Sequence, residues 1–200
     1  MKGFWINICG VNVVIVIFLG PPGAGKGTQA KKLSDYFEWR HLSTGDLLRN
    51  EVKNETELGL LANEFMKKGD LVPDKIIINM ISNILVNQNA GIVLDGFPRT
   101  IDQARSLRHS LEDISKKIDK VLFLDVEESK IISRLTNRGR KDDDPKVIVN
   151  RLKTYGDLTQ PLISFYEKEG LIEKIDGNGT EENVFNNLLK VMAWIFMDFI

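Results

Sequence analysis

An α/β fold with a parallel sheet covered on both faces is predicted by three observations. Short, wholly apolar runs alternate with helical patterns along most of the chain. The first run leads straight into a glycine-rich loop, GPPGAGKGTQ at 20–29, and a helical pattern follows it. Strands that lack polar alternation are buried on both sides, the mark of a parallel sheet under helices. The chain has 200 residues, 42% of them hydrophobic and 28% charged. That is the length of one domain, with a core that needs no disulfide or structural metal. Lys+Arg 27 against Asp+Glu 28 leave a net charge of −1. No global basic excess points to a nucleic-acid partner, so any positive site is local. One cysteine (Cys9) and two separated histidines (His41 and His109) exclude an internal disulfide and a Cys-rich zinc site. The reducing cytoplasm is the expected compartment.

Between Lys2 and Lys26 there is no charge, and residues 3–19 have the length of a signal peptide or membrane span. Two asparagines, two glycines and the lack of an A-x-A cleavage pattern argue against both. Residues 13–19, VVIVIFL, are instead read as the first buried strand, with 1–12 as a lead-in. A helix at 26–36 follows the glycine loop, and a short strand is placed at 37–42. Residues 43–87 hold two or three helical patterns and no strand, which predicts a helical insert between the second and third strands. GIVLD at 91–95 is the third strand, DKVLFLDV at 119–126 the fourth and 171–176 the fifth. Ile101, Ala104, Leu107 and Leu111 recur at helical spacing, Pro145 opens a helix, and 181–198 forms the last. Trp5, Trp39 and Trp194 read as packing residues. The apolar tail MAWIFMDFI either docks on the core or exposes a patch. Ligands of such a sheet sit beyond the carboxyl ends of its strands.

The loop at 20–28 lies between a buried strand and a helix. Its glycines let backbone N–H groups turn toward phosphate oxygens, the helix adds its positive end, and Lys26 adds a full charge. The generic pattern asks for Ser or Thr after the lysine. Here Gly27 stands in that place and the hydroxyl comes at Thr28. Four further motifs follow in order: LSTGDLLR at 42–49, MKKGDLVPD at 66–74, LDGFPRT at 94–100 with Gln103, and the arginines of 134–151 followed by TQPLI at 159–163. Together these five motifs resemble the adenylate kinases, over about residues 13–190.

The resemblance implies a P-loop NTPase-type five-stranded parallel sheet in a single kinase domain over 1–200. It further implies a nucleoside-monophosphate-binding insert at 43–72 and a short lid loop at 137–144. The implied reaction is ATP plus AMP to two ADP, with Mg2+ accompanying ATP. Gly23, Ala24, Gly25, Lys26, Gly27, Thr28, Arg134, Arg138 and Gly179 are the implied ATP contacts. Thr44, Arg49, Asp70, Leu71, Val72, Gly96, Phe97, Pro98, Arg99, Gln103, Arg140 and Arg151 are the implied AMP contacts. Lys26, Arg99, Arg138, Arg140 and Arg151 are the implied catalytic cations. Taken singly, each arginine reads as a solvated surface residue, and the joint pattern reverses that. Two polyphosphates held end to end need cations along their line, and the arginine fork suits phosphate oxygens. Asp95 ends a buried strand with no local partner, and the resemblance makes it the residue that orients magnesium through water. The alternative is a helix cap or a partner for Arg99.

An amide at Gln103 can pair with both the donor and acceptor edges of adenine. FPRT with a later glutamine resembles AMP kinases more than pyrimidine kinases. Between Arg138 and Arg140 stands only Gly139, so no folded lid domain and no lid zinc is expected. If the chain is extended there, Arg138 and Arg140 point the same way. His41 is expected at a strand edge and His109 on a helix surface, neither with a catalytic partner. A cytoplasmic monomer, with no nucleic-acid or membrane partner, is expected. Three rivals stay open: a UMP/CMP or GMP kinase of this fold, a non-catalytic nucleotide-binding ATPase or regulator, and a form anchored through residues 3–19.

Overall fold

A computed structural model describes residues 13–86, 88, 90–139 and 144–197. Five strands form one parallel sheet: β1 (Ile15–Leu19), β2 (Arg40–Ser43), β3 (Ile92–Asp95), β4 (Lys120–Asp125) and β5 (Ile172–Asp176), in the order β2-β3-β1-β4-β5. The helices are α1 (Lys26–Phe37), α2 (Thr44–Lys53), α3 (Glu57–Met66), α4 (Asp74–Leu85), α5 (Ile101–Glu112), α6 (Glu128–Arg138), α7 (Pro145–Thr154), α8 (Pro161–Glu167) and α9 (Glu181–Met197). A π-helical turn, Tyr155–Thr159, joins α7 to α8.

The apolar strand runs have a direct structural cause. Ile15, Ile17 and Leu19 of the central strand enter one core cluster, while Val14, Val16 and Phe18 enter the other. β3 and β4 divide the same way, with Ile92, Leu94, Val121 and Phe123 on the first side and Val93, Leu122 and Leu124 on the second. Side chains alternate across a strand, so a sheet covered on both faces needs an apolar residue at nearly every position. Each fully buried side chain of this size stabilises the fold by about 1.5–3 kcal/mol. The first core is closed by helices α2–α5 and α8, the second by α1, α6, α7 and α9.

Local signals set the helix starts. Ser43 accepts from the Asp46 N–H, Thr56 from the Gly59 N–H, Thr100 from the Gln103 N–H and Asp144 from the Lys146 N–H. Each satisfies a donor that the first helical turn leaves open. The second strand begins later than the sequence suggests. α1 continues to Phe37, Glu38 closes it at φ 58, and Phe37 stacks on Trp39 at 4.8 Å.

Residues 15–19 occupy the centre of the sheet, so a membrane anchor through 3–19 is incompatible with this fold. The lead-in 1–12, with Cys9 and Trp5, lies outside the described residues. Among the described residues no helix is long and apolar enough to cross a membrane. Met192 of α9 is fully buried, which docks the start of the apolar tail. β1 sends its connection toward β2 and β4 sends its connection toward β5, on opposite sides. At such a divergence the carboxyl ends of adjacent strands leave a crevice.

Candidate active site

The crevice is a cleft of about 880 Å³. The 20–28 loop forms one wall. Gly23 takes φ 85 with no room for a side chain: an added Cβ would stand 2.8 Å from Leu135 and 3.0 Å from the Ile131 carbonyl. Glycine is therefore what allows α6 to pack against the loop. Lys26 Nζ donates to the carbonyls of Gly20 at 2.7 Å and Pro21 at 2.9 Å, which holds the ammonium over the loop. Gly23, Ala24, Gly25, Gly27 and Thr28 all line the cleft beside it.

Arg134 reaches across from α6. Its Nη2 donates to the Gly177 carbonyl at 2.9 Å and its Nη1 to the Ala24 carbonyl at 3.3 Å, so one side chain ties the glycine loop to the loop after β5. Gly179 lines the cleft from that second loop. Gln29 supplies another tie, donating to the Glu181 carbonyl at 2.9 Å.

Asp95 sits at the end of β3, 8% exposed, and lines the cleft. The expectation that it has no local partner is corrected. His41 Nε2 lies 3.5 Å from Asp95 Oδ2, an ion-pair distance without a well-formed hydrogen bond. Burial pushes the Asp95 carboxyl up, but His41, Lys26 and Arg99 outweigh it and hold the pKa below the usual carboxylate range. His41, expected at a strand edge without a catalytic partner, also lines the cleft. Sequence spacing could not show this, because the contact depends on the register that sets Ser43 of β2 beside Asp95 of β3.

The other wall gathers Arg49, Asp70, Leu71, Val72, Gly96, Pro98, Arg99 and Arg151. Arg99 Nε donates to the Gly96 carbonyl at 2.7 Å, while Thr159 Oγ1 donates to the Arg99 carbonyl at 2.9 Å. Burial pushes the Arg99 guanidinium down to about 10, with Arg151 and Arg49 acting the same way against Asp95. Arg99 therefore stays charged at neutral pH while crowded by two like charges. Such crowding suits a site whose missing counter-charge is an anion. Arg49 pairs with Asp46 one turn earlier. Asn150 of α7 donates to the Lys68 carbonyl at 2.7 Å and to Asp70 Oδ1 at 2.8 Å, which fixes the GDLV loop.

Three expected contacts are placed differently. Thr44 is buried and donates to the Gly96 carbonyl at 2.7 Å, so it braces the DGFPR turn behind the wall. Phe97 is a core residue, and its bond to Pro98 is cis. Gln103 is 2% exposed and does not line the cleft, because its amide is engaged by Asp74 and the Arg99 backbone. Arg140 and the 141–143 segment lie outside the described residues, as does the side chain of Arg138. The extended run through 138–140 is corrected in part: α6 includes Arg138, and Gly139 then turns the chain at φ 67.

Sequence reasoning missed Tyr155, which lines the cleft beside Thr159 from the π-helical turn. Burial pushes its phenol up to about 12, with Asp125 adding to the effect, so it is neutral at pH 7. His109 sits on the exposed face of α5, 3.3 Å from Glu112.

The sequence profile of the family described as "Adenylate kinase" matches residues 18–171. An adenylate kinase of Prochlorococcus marinus (strain NATL2A) is 47% identical over 178 residues, covering 89% of this chain and 98% of the relative. An adenylate kinase of Leptospira biflexa serovar Patoc (strain Patoc 1 / Ames) is 44% identical over 181 residues, covering 88% and 97%.

Proposed function

The chain belongs to the adenylate kinase family, and on that premise we propose that the cleft carries the reversible transfer of the terminal phosphate of ATP to AMP. The observation that supports this most is convergence. Lys26, Arg49, Arg99, Arg134 and Arg151 come from separate elements onto one cleft that also holds Asp95. Phosphoryl transfer leaves the protein little covalent work; it needs alignment and cations along the phosphate line.

In this reading an oxygen of the AMP phosphate bonds to the γ-phosphorus of ATP as the bond to the β,γ-bridging oxygen breaks. The electron pair leaves with that oxygen, so donor and acceptor each end as ADP. The backbone of 23–28 and Lys26 hold the donor phosphates, with Arg134 bracing the loop. Arg49 and Arg99 hold the acceptor phosphate, and Arg151 stands close enough to Arg99 to bear on the group in transit. Arg138 and Arg140, the further cations that the family resemblance implies, are assigned here to the same phosphates on that ground alone. Among the AMP contacts, Asp70, Leu71 and Val72 face the acceptor, while Thr44 and Phe97 shape its wall from behind.

The residues fit magnesium. Asp95 is kept ionised, and Gly27 leaves the space in front of it open: a Cβ there would lie 3.2 Å from Asp95 Oδ2. One carboxylate suits an ion that keeps its waters and takes phosphate oxygens. When bound, magnesium neutralises charge on the β- and γ-phosphates. Asp95 would orient it through water. We read the protein as a cytoplasmic monomer acting on free nucleotides, with no membrane or nucleic-acid partner. A net charge of −1, with no basic excess, supports the absence of a nucleic-acid partner.

Lys26→Met tests the site. Loss of one preorganised charge donor is expected to lower the rate of ADP formation on the order of 10²–10³-fold, with the protein still folded at the assay temperature. Near-parental turnover in the variant would overturn the assignment of the cleft.

A further inference from the structure

Arg151, Tyr155 and Thr159 stand four residues apart and all line the cleft. A plain α-helix does not keep such a series on one face. At about 3.6 residues per turn each step of four overshoots, so two steps carry a side chain well round the cylinder. The turn at Tyr155–Thr159 is π-helical, closed by the Gln160 N–H on the Tyr155 carbonyl at 2.8 Å. Its wider i→i+5 turn takes back that drift, and the third residue of the series returns to the face of the first. Thr159 arrives there 9% exposed and donates its hydroxyl to the Arg99 carbonyl at 2.9 Å.

That bond joins two segments that carry like charges. The Arg99 segment is fixed on its own side: its N–H donates to Gln103 Oε1 at 2.7 Å and its Nε to the Gly96 carbonyl at 2.7 Å. Arg151 comes from α7, whose tie through Asn150 runs to Lys68 and Asp70 of the helical insert and not to the turn after β3. Burial pushes the Arg99 guanidinium down, and the charge of Arg151 pushes the same way. Two guanidinium groups that bear on one another move apart unless the chain behind them is tied or an anion lies between them. Thr159 is a direct tie between the two segments. The Arg99 carbonyl precedes α5, whose ladder starts with the Ala104 N–H on the Thr100 carbonyl, so the helix offers no donor in place of the hydroxyl.

We propose that Thr159 is a positioning residue for phosphoryl transfer: its hydroxyl, carried to the cleft face by the π-helical turn, holds the segment of Arg151 against that of Arg99 so that both guanidinium groups meet the phosphate in transit. The assignment rests on the reading that these two arginines face that phosphate. Thr159 acts through the Arg99 backbone. A misplaced cation is felt in the transfer step, where charge shifts between the phosphates, more than in the binding of either nucleotide.

The test measures single-turnover ADP formation at saturating ATP and AMP with magnesium, which reads the transfer step free of product release, together with KM for each nucleotide. Thr159→Val keeps the shape of the side chain and removes its donor. It is expected to slow transfer on the order of tenfold, with both KM values within about twofold of the parent. Thr159→Ser keeps the donor and is expected to recover most of the loss. In an Arg151→Ala background Thr159→Val is expected to slow transfer no further, since the tie then has no guanidinium to position. Thr159→Ala gives the same readout if the valine variant does not fold. A Thr159→Val rate within about twofold of the parent, a serine variant as slow as the valine one, or an equal further fall in the Arg151→Ala background overturns the proposal and leaves Thr159 with a structural role alone. Arg151→Ala with a parental single-turnover rate overturns the placing of Arg151 at the transferred phosphate, and this inference with it.

Discussion

Burial alone raises the pKa of a carboxyl, yet Asp95 is held below its ordinary 3.8 because His41, Lys26 and Arg99 surround it. The stability this gives is fully present above the unfolded value and is lost as pH falls through the lower folded value. Asp95→Asn is therefore expected to lower the thermal midpoint at neutral pH, with the gap to the parent closing below about pH 4. Midpoints recorded from pH 7 to pH 2.5 check this, and a gap that stays constant or widens in acid would contradict it. The residue scale is also where the sequence was least sufficient. The cations of the cleft were legible because each lies in a motif, but the partners of His41 and Gln103 were not, since those come from other elements. Gln103 meets Asp74 only because the starts of α4 and α5 converge, 29 positions apart in the chain.

At the scale of elements, α2 and α3 form a pair that depends on a single small residue. A Cβ on Gly59 would stand 2.1 Å from the Glu51 carbonyl oxygen and 2.7 Å from the Val52 nitrogen. Both are backbone atoms, so the two helices would have to part. Overpacking of this kind costs about 1–3 kcal/mol. Because α2 carries Arg49 into the acceptor wall, Gly59→Ala is expected to raise KM for AMP more than KM for ATP. Steady-state titration of each nucleotide checks this, and equal shifts in the two constants would contradict it. Strand positions were readable because two-sided burial leaves uninterrupted apolar runs. β2 was shifted because RHLS carries polar residues and because Phe37 extends α1. The Tyr155–Thr159 turn left no periodic signal, since its Gln160 N–H to Tyr155 carbonyl bond spans five residues.

For the whole molecule, one sheet separates two apolar layers, and the glycine loop after β1 and Asp95 at the end of β3 hang from its carboxyl edge. The layers fix the edge, so truncation of a central side chain is felt at the site. Ile17, fully buried in β1 two positions before the loop-bearing end of the strand, is expected to cost about 2–5 kcal/mol on change to Ala. Chemical denaturation checks that figure, and a loss under 1 kcal/mol would contradict the two-layer core as the source of stability. The central claim is narrower: this cleft transfers phosphate to AMP in preference to other monophosphates. The most direct measurement is kcat/KM with ATP as donor and AMP, UMP, CMP and GMP each as acceptor, in a coupled assay with magnesium. AMP is expected to exceed the other three by on the order of tenfold or more; UMP, CMP or GMP matching or surpassing AMP would contradict the account.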